Sequence, residues 1–406
     1  MLKKLLRAFL APRHAWRGID FDELSEIYVS MMMRSLATSM VGIFIPVYLF
    51  KLGHSLPAIA SVFGCYFSVR VLLDLIAAHT TAWIGPKHTL VIGQFLQIAT
   101  SALFLTLPTF GWPLPLLGIF WGGAASFFFV PFHIDFSKIK HRAHGGKELG
   151  YEQMMEKIGY ALGPATGGIV ATLFGARYIF LVSALMLIAG LWPLFRTAEP
   201  TKLRQKLDYA GFDYKKVAHI IPSYIGLNVE NTLCLMLWPL FLGMFVITGS
   251  DVFAGVGTMA SIAVIASILA AQAIGRTVDN RQGRPLLRYS AVANSLVYVV
   301  RVFTISYPMA LATNIANEVI TMGYRLPYTK AFYDAADDLP GYRIVFISSM
   351  EIMGCAAKAT MWWVLTGLGL ILSAKTTIYV GFAIAAAASL LITTEKFKAL
   401  DTATDR

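Results

Sequence analysis

Twelve apolar stretches, each about as long as a membrane-spanning helix, occupy nearly the whole of this chain. A helix needs about 20 mostly apolar residues to cross a bilayer, and the stretches end at glycine, proline or charged clusters. The predicted spans are 25–50, 57–79, 88–108, 113–136, 149–173, 176–195, 217–247, 252–274, 286–306, 308–332, 342–373 and 375–394. The sequence therefore predicts an all-α membrane protein with twelve transmembrane helices.

The composition excludes a soluble globular protein. Hydrophobic residues make up 57% of the chain and charged residues only 14%, whereas a soluble domain carries about 25% charged residues. The net charge of +11 does not indicate a nucleic-acid partner, because the basic residues lie in loops between the apolar stretches, as expected of cytoplasmic loops.

The loop charges predict the orientation. If both termini are cytoplasmic, 25 of the 34 Lys and Arg residues fall in inner segments, and only Lys51, Arg177 and Lys375 fall in outer loops. This bias favours an even number of crossings with both ends inside. We expect a multi-pass protein of the bacterial inner membrane.

A polar connection near the middle of the chain and an internal repeat predict two similar halves. Pro131 matches Pro327 at an offset of 196 residues, and Glu156 matches Glu351 at an offset of 195. Matches at nearly one offset suggest that a six-helix unit was duplicated. The predicted units are a basic amphipathic segment over 1–22, a six-helix bundle over 23–195, a cytoplasmic linker over 196–216, a second six-helix bundle over 217–394 and a cytoplasmic tail over 395–406.

Charged residues inside the predicted spans are the candidate functional residues. A charge at the centre of a span costs at least ~2.5–3.5 kcal/mol, and this cost falls when the charge faces water or an opposite charge. Glu230 and Glu318 are candidate proton carriers, and the basic members could bind an anionic or zwitterionic solute. The alternative is that they form ion pairs between helices, which we favour for Arg70 and Asp74, four residues apart. The predicted substrate and proton pathway comprises Arg34, Glu156, Glu230, Glu318, Arg325, Glu351 and Lys358.

The connection between spans eight and nine carries a recognisable motif. Residues 275–284 read GRTVDNRQGR and resemble the G-x-x-x-D-R-x-G-R signature of the major facilitator superfamily, with one extra residue after the aspartate. The resemblance implies that this loop helps to hold an inward gate shut; the alternative is a generic basic turn. The matching loop of the first half has Thr81 where the aspartate belongs. The implied gating residues are Gly275, Asp279, Arg281, Gly283 and Arg284.

Span five carries a second motif, which is similar to the G-x-x-x-G-P-x-x-G-G pattern of many exporters in that superfamily. Small residues allow close approach of helix backbones. Many proton-driven drug exporters also carry an arginine in span four, but Gly118 stands in its place here. Either Arg34 replaces that arginine or the exporter analogy fails. The predicted helix-packing residues are Gly159, Gly163, Pro164, Gly167 and Gly168.

The resemblance implies two pseudo-symmetric six-helix bundles and secondary active transport by alternating access. Proton-coupled efflux of a small charged or amphipathic solute is the leading hypothesis; proton-coupled uptake of a charged metabolite and a non-transporting protein on the same scaffold are the alternatives. An enzyme is not expected, because the chain has no phosphate-binding loop and no nucleophile–base pattern. Expected partners are a small-molecule substrate, protons and membrane lipids; we expect no nucleic acid, cofactor or metal, and a monomer.

Overall fold

The computed structural model describes residues 21–139, 145–194, 205–247, 252–277, 283–339 and 341–400, and throughout these ranges the regular structure is helical. The basic segment predicted over 1–22 and the end of the tail therefore lie almost entirely outside the described residues. The α-helices are α1 (Phe21–Gly42), α2 (Ile45–Lys51), α3 (Leu56–Ile84), α4 (Pro86–Phe110), α5 (Leu114–Ile139), α6 (Gly145–Phe174), α7 (Tyr178–Leu194), α8 (Ile221–Thr232), α9 (Trp238–Phe241), α10 (Val252–Thr277), α11 (Gly283–Val302), α12 (Tyr307–Asp337), α13 (Arg343–Ile371) and α14 (Ala374–Ile392).

Two predicted spans are interrupted rather than continuous. The first divides into α1 and α2, and Pro46 occupies the first turn of α2, where its missing N–H costs nothing. The seventh contains α8, a π-helical segment over Leu233–Leu237, the short α9 with Pro239 in its first turn, and a second π-helical segment over Leu242–Val246. Pro46 and Pro239, which are 193 positions apart, thus mark breaks at similar places in the two halves of the chain.

Eight helical segments within the described residues are long and apolar enough to cross a membrane, among them Leu56–Ile84, Pro86–Phe110 and Arg343–Ile371. Many large apolar side chains lie on the outside of the molecule, including Leu72, Leu269 and Leu296, which are 69%, 77% and 62% exposed. Such a surface is unfavourable in water and suits a lipid environment. The chain is a multi-pass membrane protein.

We call the helices of the first half of the chain, α1–α7, the first set and those of the second half, α8–α14, the second set; helices of the two sets contact each other along two seams. In the first set, α1 packs against α6 and α7, while α5 packs against α3 and α4. In the second set, α12 packs against α10 and α11, while α14 packs against α8 and α11. The seams join the sets where α3 lies along α13 and where α6 lies along α10.

The described part of the linker crosses one end of the first seam, which we call the linker side. The backbone N–H of Gln205 donates to the carbonyl of Ala82 in α3. The ring of Tyr209 stacks on His79 of α3 at a centroid distance of 5.6 Å, and its hydroxyl lies 2.8 Å from Ser348 Oγ in α13. Burial raises the pKa of Tyr209 above its ordinary value. The linker therefore holds the ends of two helices that belong to different sets.

Candidate functional site

Glu230 of α8 lies in a cage of neutral hydrogen-bond donors. Its side chain is 1% exposed. Tyr298 Oη donates to Oε1 at 2.7 Å, Asn294 Nδ2 donates to Oε1 at 2.9 Å, and Tyr324 Oη donates to Oε2 at 2.8 Å. Among the described residues, no Lys, Arg or His has a side-chain nitrogen within the ion-pair distance of 4.0 Å of the Glu230 carboxylate. A buried carboxylate solvated only by neutral donors can exchange a proton without breaking an ion pair.

The cage continues into a longer polar network in the second set. Asn294 Nδ2 lies 3.1 Å from Ser389 Oγ of α14, and Asn294 Oδ1 accepts from Asn317 Nδ2 of α12 at 2.7 Å. The thiol of Cys234 in turn donates to Asn317 Oδ1 at 3.0 Å. All of these partners belong to the second set, so Glu230 lies within that set and not on a seam.

Arg34 occupies the corresponding place in the first set. Its Nη1 donates to Gln94 Oε1 of α4 at 2.7 Å, and its guanidinium carbon lies 3.4 Å from the centroid of the Phe128 ring in α5. The side-chain amide of Gln94 also donates to the carbonyl of Leu187 in α7. Cation–π contact and one amide oxygen stabilise this buried charge. Arg34 therefore points into its own set, as Glu230 does.

The two sites are related by the sequence repeat. Arg34 and Glu230 are 196 residues apart, and so are their respective contacts Phe128 and Tyr324. Both charged side chains are buried inside the protein, so neither is exposed to lipid. Their roles in a pathway stay predictions.

A second charged cluster joins the two sets across the seam between α3 and α13. Arg70 Nη2 lies 3.4 Å from Asp74 Oδ2 and 3.1 Å from Glu351 Oε2. The sequence interpretation of Arg70 and Asp74 as a pair within one helix omitted the third member, because Glu351 lies 281 positions away in the chain. The cluster is therefore a contact between the sets as well as a pair within α3.

Four further side chains complete this cluster. Tyr224 Oη of α8 donates to Glu351 Oε1 at 2.7 Å. His133 of α5 has Nε2 3.8 Å from the same oxygen, and its Nδ1 lies 2.6 Å from Tyr333 Oη of α12. Cys355 Sγ donates to Asp74 Oδ2 at 3.4 Å. Five helices thus converge on one buried ionic site, which we call the seam cluster.

The seam cluster contains atoms that could ligate a metal but is poorly suited to one. Atoms of Asp74, Glu351 and Cys355 lie within 4.8 Å of one another. The Arg70 guanidinium already contacts both carboxylates, and its positive charge opposes a cation at the same place. The arrangement fits an arginine-centred ion network.

The remaining predicted cations lie beside amides of α8. Lys358 Nζ of α13 donates to Asn228 Oδ1 at 2.8 Å and lies 4.9 Å from the centroid of the Phe67 ring. Arg325 Nη2 of α12 donates to Asn231 Oδ1 at 2.7 Å. Arg325 and Glu318 are only partly buried, and both take part in further interactions. The side chain of Glu156, although in α6, lies outside the described residues.

The implied gating motif is described only in part. Asp279 and Arg281 lie outside the described residues, and Gly275 is in the last turn of α10. At the start of α11, after Gly283, Arg284 Nε donates to Glu395 Oε1 at 2.9 Å and Nη2 donates to the carbonyl of Phe397. Arg284 therefore fixes the segment that follows α14 on the linker side.

The glycines predicted for helix packing lie where α6 approaches other helices. A Cβ atom at Gly159 or Gly167 would lie 2.6–2.7 Å from atoms of α1, and one at Gly163 would meet the α1 backbone at 2.8 Å. Gly168 faces the α10 backbone instead, where a Cβ would lie 3.0 Å from the carbonyl oxygen of Phe253. The motif places α6 between a helix of its own set and a helix of the other set.

Sequence reasoning missed the neutral half of both clusters and one buried cation. Nothing in the local sequence distinguishes Tyr298, Tyr324 or Asn294 from ordinary polar residues of a span. Arg301, which is fully buried, lies in the predicted span 286–306 but is not among the predicted pathway residues. Its position in an apolar stretch was the available signal.

Comparison with known proteins identifies the family of this chain. A family description, "Major Facilitator Superfamily", matches residues 27–356. The chain is 20% identical to an uncharacterised MFS-type transporter of Methanocaldococcus jannaschii over 78% of this chain and 83% of the relative. It is 24% identical to multidrug resistance protein 1 of Bacillus subtilis over 47% of this chain and 50% of the relative.

Two solved structures share the fold of this chain. A POT family transporter in complex with 5-aminolevulinic acid superposes with a TM-score of 0.72 at 12% identity, covering 94% of this chain and 97% of that one. A D-xylose–proton symporter superposes with a TM-score of 0.69 at 12% identity, covering 92% and 97%. With a match to the family over most of its length, this chain belongs to the major facilitator superfamily of transporters.

Proposed function

We propose that this protein is a secondary active transporter that couples proton movement to the export of a small charged or amphipathic solute by alternating access. The proposal includes twelve spans arranged as two six-helix bundles with both termini in the cytoplasm. The caged carboxylate of Glu230 is the observation that carries it. A carboxyl group that is buried in a membrane bundle and in ion-pair contact with no Lys, Arg or His of the described residues has little structural value, and such residues commonly serve proton relays.

The seam cluster supplies the element that alternating access requires. Rocking of one set against the other has to separate α3 from α13 at the linker side, and there Arg70 and Glu351 are in direct contact. The pair therefore acts as a lock that is closed in this conformation. The partly exposed Arg325, together with Lys358 and their asparagine partners, offers cationic and amide groups suited to a solute with an acidic or polar group.

Export is favoured over uptake by two observations. The span-five glycines and Pro164 follow the pattern of exporters, and one relative is named for multidrug resistance, although the match covers half of its length. Proton-coupled uptake is the second candidate, because one solved structure of similar fold is a proton symporter and the span-four arginine of many drug exporters is replaced by Gly118.

The test begins with a thermal-shift screen of the purified protein against organic anions, cations and zwitterions, because a bound ligand stabilises the folded state by mass action. The stabilising solute is then assayed in proteoliposomes containing a pH-sensitive dye. A solute gradient that drives protons in the opposite direction supports antiport, whereas proton movement in the same direction supports uptake by symport.

Glu230→Gln tests the proton site in the same assay. Glutamine keeps the shape of the side chain, and the tyrosine hydroxyls of the cage can turn to accept from its amide. We expect solute binding to persist and solute-driven proton movement to be lost. Glu395→Gln is the matched control, since Glu395 is also fully buried but is paired with Arg284. Proton movement that survives in Glu230→Gln would reject the assigned role.

A further inference from the structure

Arg301 is a buried cation that forms no ion pair within 4.0 Å among the described residues, although the charge of Glu230 acts on it at longer range. It lies in the last turn of α11 and is 0% exposed. Its guanidinium carbon lies 4.3 Å from the Trp238 ring centroid and 4.9 Å from that of Tyr298. The aromatic faces stabilise a cation, but they do not satisfy its N–H groups.

The nitrogens of the Arg301 guanidinium that lack hydrogen-bond partners among the described residues lie on one edge of the group. Nη1 donates to Cys234 Sγ at 3.7 Å, which is a weak contact with a neutral thiol. Neither Nε nor Nη2 has a hydrogen-bond partner in the part of the chain that the structure describes. Nε and Nη2 form the side edge of the guanidinium, which presents two parallel N–H groups in the geometry that binds an anion with two contacts.

Two more buried groups near this arginine also lack partners. Among the described residues, neither the indole Nε1 of Trp238, whose ring lies against the guanidinium, nor the hydroxyl of Thr304 has a hydrogen-bond partner. Trp238 is 3% exposed and Thr304 is 2% exposed. The backbone N–H of Thr304 donates to the carbonyl of Arg301 at 3.1 Å, so the residue follows directly on the same turn. Arginine and tryptophan side chains are donors only, and the cluster therefore calls for an acceptor.

Glu230, whose charge acts on Arg301, does not supply that acceptor. Glu230 is held by Tyr298, Asn294 and Tyr324, and no ion pair joins it to Arg301 within the contact distance of 4.0 Å among the described residues. A buried charge without a partner is strongly destabilising. A water molecule would satisfy the N–H groups, whereas an anion would satisfy them and would also supply the direct ion pair that Arg301 lacks among the described residues.

We propose that Arg301, Trp238 and Thr304 form a binding site for one small monovalent anion, held by the Nε–Nη2 edge of the guanidinium. A halide and a small carboxylate such as formate share the required chemistry, since both accept from two adjacent donors and fit an enclosed site. The site is separate from the seam cluster and does not depend on proton coupling or on the direction of transport. It adds a bound anion beside the Tyr298 ring, whose hydroxyl reaches Glu230.

The experiment is a thermal-denaturation titration of the full-length protein in detergent at fixed pH and ionic strength. Chloride, bromide, formate and acetate each replace gluconate, which is too large for an enclosed site. The wild type should show a saturable rise in Tm with at least one of the small anions. A response to halides alone identifies a halide site, and a response to formate and acetate identifies a carboxylate site.

Three variants assign the effect to this cluster. Arg301→Lys keeps the charge and removes the two-donor edge, so the anion-dependent rise should disappear. Trp238→Phe and Thr304→Val each remove a single donor while keeping the shape, and the loss of one hydrogen bond should weaken anion affinity about fivefold. Arg177→Gln is the control, because Arg177 contacts Tyr178 at an exposed position and the variant should titrate as the wild type does.

Two results would overturn the site. One is a Tm that does not distinguish the small anions from gluconate. The other is an anion-dependent rise that persists unchanged in Trp238→Phe and Thr304→Val, which keep Arg301 and so remain informative if Arg301→Lys does not fold.

Discussion

Removal of the charge of Glu351 should open the linker side of the protein. In the present conformation Glu351 Oε2 lies 3.1 Å from Arg70, and the two side chains are 11% and 4% exposed. Glu351→Gln keeps the volume and keeps an oxygen that can accept from Tyr224, but it removes the attraction across the seam. Asp74, at 3.4 Å from Arg70, still compensates part of the arginine charge.

The expected magnitude follows from this geometry. Breaking a buried pair typically costs 3–5 kcal/mol, and the remaining contact with Asp74 places the effect near the lower limit, at about 3 kcal/mol. In a conformation open at the linker side, both charges are hydrated and the substitution costs little. The population of the open conformation should therefore rise about 100-fold, since each 1.4 kcal/mol corresponds to about a factor of ten.

Cys355 provides a natural reporter of this opening. It is 0% exposed, lies one turn after Glu351 on α13 and contacts Asp74. Maleimide labelling of membranes, quantified for each cysteine by peptide mass spectrometry, should show much faster modification of Cys355 in Glu351→Gln, with Cys65 and Cys234 as internal references.

The reasoning fails if Cys355 is labelled at the wild-type rate in Glu351→Gln while the protein remains folded. That result would mean that the pair contributes nothing to closure. Equal acceleration at all three cysteines would also contradict it, since it would indicate general loosening rather than opening at one seam.

Two further predictions concern the packing of α6 against α1 and the docking of the linker. Gly163→Val should separate α6 from α1, because a Cβ there would lie 2.8 Å from the carbonyl oxygen of Leu36. We expect the free energy of unfolding to fall by about 1–3 kcal/mol or more, measured as a lower Tm. Gly367→Ala in α13 is the control; a Cβ there would have nothing within 4 Å, so the variant should be neutral or slightly stabilising. The Tyr209 hydroxyl has a raised pKa because it is buried. As pH rises, this hydroxyl therefore loses its proton more readily in the undocked linker than in the docked one. Docking should weaken as pH rises through and above about 10. Hydrogen exchange of residues 205–216 should show this alkaline release in the wild type, and Tyr209→Phe, which lacks the titrating group and the contact with Ser348, should show faster exchange at all pH values with no alkaline step.

The sequence predicted the positions of the long helices well, because apolar length is a local property. The predicted spans 57–79, 88–108 and 342–373 correspond to Leu56–Ile84, Pro86–Phe110 and Arg343–Ile371. It did not predict the division of the first span or the π-helical segments of the seventh. Those features depend on how helices pack around Pro46 and Pro239, and packing is not encoded in local hydrophobicity.

The site was predictable in its charges and not in its partners. A charge in an apolar stretch is visible in the sequence, so Arg34, Glu230 and Glu351 could be selected. Their neighbours are ordinary residues brought close by tertiary structure, such as Tyr298, which is 68 positions from Glu230. For the same reason Arg70 and Asp74 looked like an isolated pair until the position of Glu351 was known.

The placement of the two clusters constrains how proton binding could be linked to opening. Glu230 bonds only to its own set, so rigid rotation of one set against the other leaves its cage intact. A change at Glu230 can reach the seam only through an element that touches both clusters. The helix α8 does so, because it carries Glu230 and also Tyr224, which donates to Glu351. The helix α12 does so through Tyr324 of the cage and Tyr333, which contacts His133. The π-helical segment that follows α8 directly gives this helix a backbone irregularity of the kind often found at functional sites. Coupling in this protein is therefore expected to depend on movement of α8 within its set, and not on rocking of rigid halves alone.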